Sequence, residues 1–488
     1  MMDKRSCDEG SSLLGEDSKD TPTGIPSVPQ PRWTFPFIIE ITVCMYFVAN
    51  VITVPISQFY VYNQVAKSYG IPNYIRDDQS SICNKNNESE STIQVINSIQ
   101  KEASNQLMYM SFVSSFTAII PTFFLGYISD RCGRKVSFLI SLLGLLLHQI
   151  VYIVVFYFDA PLSYLYIGNA LEGISGYMSC AIMTAFIMLA DVTSPGKQRG
   201  FRIAVMEGVI ASSVGLAVLA GGFWIKYSGF LLPMVCSTGL SVVTIFVWIF
   251  AVPETRPFRE DFSQIVISFD SIKRCFVFYY EKTSQNRRGK MLVLLLILVT
   301  AAACFTSKSN VVTLFLLNQP FCWSEVHISV VNALQIIINW VVGIAFLRFI
   351  QYWMRDTSLL SFGCFIGTVA HITLGLANVG WMIYLYMGIV TFSVLVVPIS
   401  RSMLSKLVSP EEQGAMFAGV AAMEHLVTGL AGLLFGEIYK DSLTFYPGMV
   451  FLAIAGIVFI SLILSGLLCV WMKDWHRREM EIIVEEES

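Results

Sequence analysis

The sequence predicts an all-α membrane protein, with twelve transmembrane helices in two six-helix pseudo-repeat halves. Three observations predict it. The 488 residues are 55% hydrophobic and only 14% charged, against roughly 25% charge in an ordinary soluble domain. Apolar runs of about twenty residues, the length that crosses a bilayer, recur from residue 35 to residue 472. A motif between the fourth and fifth runs returns between the tenth and eleventh. The composition also excludes other classes. So few charges cannot coat a large soluble enzyme. The 35 Phe, 20 Tyr and 9 Trp are too many apolar anchors for a disordered chain. A net charge of −3 gives no basic field for nucleic acid. The 11 Cys are too sparse for a disulfide scaffold. The lipid bilayer is the expected surrounding.

The elements follow in order. Residues 1–34 are a polar tail rich in Ser, Asp, Pro and Gly, expected to be disordered and cytosolic. The tail has no signal-peptide apolar region, so the first span is expected to be retained. The predicted spans are 35–60, 107–128, 136–157, 162–190, 202–225 and 230–252, then 291–317, 325–349, 358–378, 380–404, 414–438 and 446–472. Lipid leaves only helices or closed barrels, and runs of this length read as helices. Spans one to six make an N-terminal half, 35–252. A linker, 253–290, leads to a C-terminal half, 291–472, and a tail, 473–488.

Loop charges orient the bundle. The linker carries Arg256, Arg259, Lys273, Arg274, Lys282, Arg287, Arg288 and Lys290. The loops after spans two and four carry Arg131, Arg134, Lys135, Lys197 and Arg199, while those after spans three, seven and nine have no Lys or Arg. The positive-inside rule then puts both termini and the linker in the cytosol. Segment 61–106 becomes the long outer loop, and Asn87-Glu88-Ser89 in it is an N-glycosylation sequon. In the N-terminal tail, Glu9 with Leu13 and Leu14 fits an acidic dileucine sorting pattern, reachable by a clathrin adaptor. That pattern points to endosomes and lysosomes as well as the plasma membrane, although so short a pattern also arises by chance.

The internal repeat is specific in position. Ser194-Pro195 with Gln198, and Ser409-Pro410 with Gln413, each precede a span that carries a Met-Glu pair, Met206-Glu207 and Met423-Glu424. Between spans two and three lies Gly126-Tyr-Ile-Ser-Asp130-Arg131-Cys-Gly133-Arg134-Lys135. Gly126 permits close helix approach, Gly133 a tight turn, and Asp130 a charged hydrogen bond. The motif resembles the signature of the major facilitator superfamily, and Pro253-Glu254-Thr255-Arg256 resembles a second mark of it. The resemblance implies that Gly126, Asp130, Arg131, Gly133 and Arg134 latch the cytosolic side, and that two halves rock around a central site.

Three further segments resemble solute carrier family 46, the family of the proton-coupled folate transporter. They are Gln58-Phe-Tyr60-Val-Tyr62, Phe315 to Trp323, and Pro398-Ile-Ser-Arg401 through Gln413. The family moves organic anions such as folates, sulfated steroids, cyclic dinucleotides and cell-wall fragments, so a small anionic substrate and protons are the implied partners. The resemblance also implies a disulfide between Cys83 and Cys322 on the outer loops, the other reading being two free thiols. This chain departs from the folate transporter at three polar positions. A histidine there aligns with Phe305, an aspartate with Tyr177 and a tyrosine with Asn339.

Ionisable groups at bilayer depth are costly and need a reason to persist. Arg401 can hold a carboxylate or phosphate by two parallel hydrogen bonds. Lys308 lies in the polar run Thr306 to Asn310, which suggests a cavity wall and an unwound segment. Arg401, Lys308, Asn310, Tyr177 and Asn339 are the candidate substrate contacts. Glu207 matches a carboxylate the family uses in proton coupling, and a carboxyl withdrawn from water can bind and release protons through a cycle. Glu172, Glu424 and His425 are further proton-coupling candidates, His425 as a relay or as an interhelical hydrogen bond. Glu40 and Glu437 read as interfacial residues. No metal-ligand spacing, P-loop or dinucleotide fingerprint occurs, so neither metal, cofactor nor enzyme chemistry is expected. The leading expectation is a proton-coupled symporter of organic anions working by alternating access. The alternatives are an uncoupled facilitator or antiporter, and a non-transporting nutrient sensor.

Overall fold

The computed structural model describes residues 37–70, 90–131, 133–193, 197–255, 287–350, 353–407 and 413–486. These described residues form one connected body. Every regular element among the described residues is helical, and 12 helical stretches are long and apolar enough to cross a membrane. The expected all-α, twelve-span fold class is borne out.

Span one comprises helices Ile38–Val51 and Thr53–Ser68, with a turn at Ile52. Pro55 causes the break, because it has no N–H to give the carbonyl four residues back. Span two lies in the long helix Glu90–Arg131. Helix therefore extends into both ends of the expected 61–106 loop. The sequence hid this because residues 90–106 are polar overall. Their apolar positions Ile96, Ile99 and Ala103 are buried at helical spacing.

Span three is Arg134–Phe158. Span four is the helix pair Leu165–Ile174 and Tyr177–Val192, interrupted at Ser175 and Gly176. Gly176 holds φ +88 and Tyr177 φ +53, a left-handed stretch that cannot continue a right-handed helix. Spans five and six are Lys197–Ser228 and Leu231–Ala251. Span seven is one uninterrupted helix, Arg287–Leu317. The unwound segment expected at 306–310 is absent. Spans eight and nine are Glu325–Ile350 and Asp356–Gly375. Span ten is broken by a 3-10 turn, Thr391–Ser393, between helices Gly380–Val390 and Val396–Lys406. Span eleven is Gln413–Ser442, and span twelve, Met449–Glu486, runs as helix into the expected tail.

Helix packing repeats with a shift of six. Span one packs on five and six, three on six, and two on four; seven packs on eleven and twelve, nine on twelve, and eight on ten. The two sets meet through spans two and eleven and through five and eight. Large apolar side chains such as Ile120 and Phe250 stand exposed, at 64% and 80%, as a lipid-facing surface requires.

The described core distributes the contacts between the halves unevenly. One apolar cluster joins spans one to six with the first-loop ends of spans seven to twelve, including Phe59, Tyr62, Phe315, Phe435 and Tyr439. A second cluster occupies only the linker ends of the C-terminal half, with Leu294, Leu360, Leu404 and Met416. Polar bonds also bridge the halves at the first-loop end. Thr313 Oγ1 donates to Gln58 Oε1 at 3.0 Å. Gln100 Nε2 donates to the Tyr62 hydroxyl at 3.2 Å, and the Tyr439 hydroxyl donates to Gln100 Oε1 at 3.4 Å. Among the described residues, the bundle is thus closed at the first-loop end and parted toward the linker end.

Candidate functional site

The parted side brings the internal repeat together. Glu207 of span five and Glu424 of span eleven, the two Met-Glu carboxylates, approach the same cation. Arg401, near the end of span ten, donates from Nη2 to both oxygens of Glu424, at 2.8 and 2.9 Å. Its side chain stays 45% exposed while Glu424 is 14% exposed. Glu207 is half-buried and within electrostatic reach of Arg401. The remaining guanidinium nitrogens, Nε and Nη1, have no partner among the described residues. The arrangement can take an anion on the open edge of the guanidinium while Glu424 occupies the other.

The second cation is placed differently. Lys308 is buried in span seven at 7% exposure. Its Nζ donates to the Tyr386 hydroxyl at 2.5 Å and lies 5.5 Å from the Phe305 ring centre and 5.2 Å from that of Tyr386. Gln335 Nε2 also donates to Tyr386, at 3.4 Å. Among the described residues no carboxylate pairs with Lys308. Aromatic faces stabilise an ammonium group, but they leave its net charge uncompensated. Phe305, where the folate transporter has histidine, serves as one of those faces. Asn310 lies on the same helix, and its side chain is outside the described part.

The other expected residues fall in separate places. The Tyr177 ring meets His425 edge-on, with centres 6.1 Å apart. His425 is buried, and its Nε2 has no hydrogen-bond partner among the described residues. Asn339 is buried and accepts from Thr391 Oγ1 at 3.0 Å, which ties span eight to the 3-10 turn of span ten. Glu172 is buried in the N-terminal half, accepts a hydrogen bond from Asn50 and lies against His148 Nδ1.

The span two–three motif forms a compact electrostatic joint. Gly133 holds φ +102, and a Cβ there would lie 2.5 Å from Glu254 Oε2. Glu254, of the second motif, accepts from the backbone N–H groups of Arg134, Lys135 and Thr255 at 2.9–3.0 Å. It caps the N-terminus of span three, where an anion is favoured. The buried Arg134 donates to Ser129 Oγ at 3.0 Å and pairs with Asp191 at 3.3 Å. Gly126, Asp130 and Arg131 lie on the span-two helix, with their side chains outside the described part. Ser129 and Asp191 were not singled out from the sequence. Glu254 stood in a recognised motif without an assigned partner.

Cys322 is disulfide-bonded and holds φ +50. Its expected partner Cys83, the sequon at Asn87, and the sorting residues Glu9, Leu13 and Leu14 all lie outside the described residues. Across the described residues, no group of His, Cys, Asp and Glu could hold a metal ion.

Comparison with known proteins places this geometry in a family. The description "Major Facilitator Superfamily" matches residues 41–395. The chain is 28% identical over 456 residues to the lysosomal proton-coupled steroid conjugate and bile acid symporter SLC46A3 of Gallus gallus, covering 92% of this chain and 97% of that one. It is 26% identical over 425 residues to the proton-coupled folate transporter of Rattus norvegicus, covering 86% and 90%. The crystal structure of the human organic anion transporter MFSD10 (TETRAN) superposes with a TM-score of 0.63 at 14% identity, over 88% of this chain and 98% of that one. That last likeness concerns the fold alone. The chain belongs to the major facilitator superfamily of membrane transporters.

Proposed function

We propose that the chain is a proton-coupled symporter of small organic anions, working by alternating access. The observation that carries this reading is the sharing of Arg401 between Glu424 and an open cleft. An anionic substrate and the Glu424 carboxylate compete for one positive charge. Protonating Glu424 removes the competitor, so a proton favours anion binding and an anion favours proton binding. Glu207, in electrostatic reach of the same guanidinium, extends the competition to the other half. The uncompensated Lys308 supplies a second anion contact inside the C-terminal half. The relatives' names, a steroid conjugate and bile acid symporter and a folate transporter, support an amphipathic or multiply charged organic anion as the substrate class.

The loop charges support cytosolic termini, and the lysosomal relatives support a site in endosomes and lysosomes as well as the plasma membrane. The Cys83–Cys322 bridge, glycosylation of Asn87 and adaptor binding at Glu9, Leu13 and Leu14 belong to the same reading. The test is uptake of labelled steroid sulfate, folate, cyclic dinucleotide and muropeptide into proteoliposomes. It is run with an inward proton gradient of about two pH units, about 2.7 kcal/mol per proton, and again with the gradient collapsed. At least one anion is expected to accumulate only with the gradient. Equal uptake of every anion in both conditions removes the proton from the account.

A further inference from the structure

Deep in the N-terminal half, Glu172 and His148 form a buried pair that the cleft does not use. Glu172 is 6% exposed and His148 4%. Asn50 Nδ2 of span one donates to Glu172 Oε1 at 2.8 Å. The other oxygen, Oε2, lies 3.3 Å from His148 Nδ1 of span three. That ring nitrogen makes no hydrogen bond among the described residues. Tyr152 stacks on the imidazole at 4.2 Å between centres and receives a bond from Asn169 at 2.9 Å.

Among the described residues, the groups facing the pair from each neighbouring helix are otherwise neutral. Span one contributes Tyr46, span three Tyr152, and span four Tyr177, with Cys180 beside Tyr46. Span two brings Ser114 and Thr117 against Gly173. None of these is a fixed cation. An isolated buried carboxylate is expensive, and among the described residues only the imidazole is placed to offset this one.

The geometry points to the Glu172–His148 pair as a second proton-binding site, separate from the Arg401 cleft, that loads a proton during transport. It rests on the proton-coupled reading given above and adds a site to it. The proton adds to Glu172 Oε2, the neighbouring Nδ1 accepts or returns it, and no other bond changes. The pair also lies at a point where movement can be transmitted. Glu172 is three residues before the break in span four, where Ser175 Oγ donates to the Glu172 carbonyl at 2.6 Å. Beyond the break, Tyr177 at φ +53 touches His425, the neighbour of Glu424. A change of charge at Glu172 can thus reach the substrate clamp through one strained helix turn.

Three full-length proteins are compared in proteoliposomes: wild type, Glu172→Gln and His148→Gln. Anion-for-anion exchange at equal pH is expected to be kept in all three. Gradient-driven accumulation is expected to fall about tenfold per pH unit in both variants, the loss of one coupled proton. Variants that accumulate as well as wild type overturn the second site and leave the first reading intact. Wild type that never responds to the gradient overturns the first reading. A measurement without any transported anion keeps the site testable on its own. Acid-minus-neutral infrared difference spectra of Glu207→Gln/Glu424→Gln protein are expected to contain a carboxyl component that vanishes when Glu172→Gln is added. Spectra that are unchanged by Glu172→Gln overturn the proposal.

Discussion

Arg401 gives one nitrogen to Glu424 and keeps an open edge, so its variants separate charge from shape. Arg401→Ala removes a charge-assisted contact of about 1.5–3 kcal/mol, which lowers uptake efficiency by roughly tenfold to a hundredfold. Initial rates measure it, and an unchanged rate places the substrate elsewhere. Arg401→Lys restores the charge without the planar fork and is expected to recover only part of the loss. Glu424→Gln has a different signature. It leaves Arg401 unmasked at every pH, so exchange persists while acid stimulation falls, as a pH series of exchange and accumulation rates would record. At the first-loop end, Asp159 receives hydrogen bonds from Lys67 and then Gln64, which hold its carboxyl below the ordinary carboxylate range. A depressed carboxylate contributes above the unfolded value and is lost as pH falls through the folded one. The joint between spans one and three therefore survives mild acid. The melting-point difference between wild type and Asp159→Asn should be the same at neutral pH and at about pH 5. The effect itself is small, since exposed pairs contribute about 1 kcal/mol at most.

The helix breaks and the capped end of span three carry the mechanics. Gly133 has a left-handed φ and no room for a Cβ beside Glu254. Gly133→Ala should destabilise the fold by more than about 1 kcal/mol, visible as a lower melting temperature in detergent. Glu254→Ala should cost about 0.5–2 kcal/mol through the lost cap. These elements also show what was legible beforehand. A charge inside an apolar run is conspicuous, so Lys308, Arg401, Glu207 and Glu424 could be read directly. Pairings between sequence-remote residues could not. Nothing local to Asp191 names Arg134, and nothing near His148 names Glu172. The first turns of the span-two helix were hidden for another reason: their buried face is only one residue in three or four. The polar run at Thr306 to Asn310 suggested unwinding, yet its helix is continuous. The breaks fall instead at Ile52, at Ser175–Gly176 and at Thr391–Ser393.

For the whole molecule, closure at one end and parting at the other are what one state of the proposed alternating-access cycle requires. The first-loop seal, Gln58 with Thr313 and Gln100 with Tyr62 and Tyr439, must open in the opposite state. Gln58→Ala should therefore shift the resting population toward that state, read as faster labelling of cysteines introduced at the first-loop end of the cleft. The six-span shift in helix packing was legible because the Ser-Pro-x-x-Gln repeat recurs at the same interval of spans. Which end is open was not, since it depends on the balance of contacts between halves. Proton coupling in the proposed cycle rests on anion and proton sharing Arg401 by way of Glu424. Its most direct test loads proteoliposomes with a pH-sensitive dye at equal pH on both sides and adds a transported anion outside. The liposome interior is expected to acidify in step with anion entry, and Glu424→Gln to reduce this acidification while exchange continues. Anion entry with no change in lumen pH would contradict it.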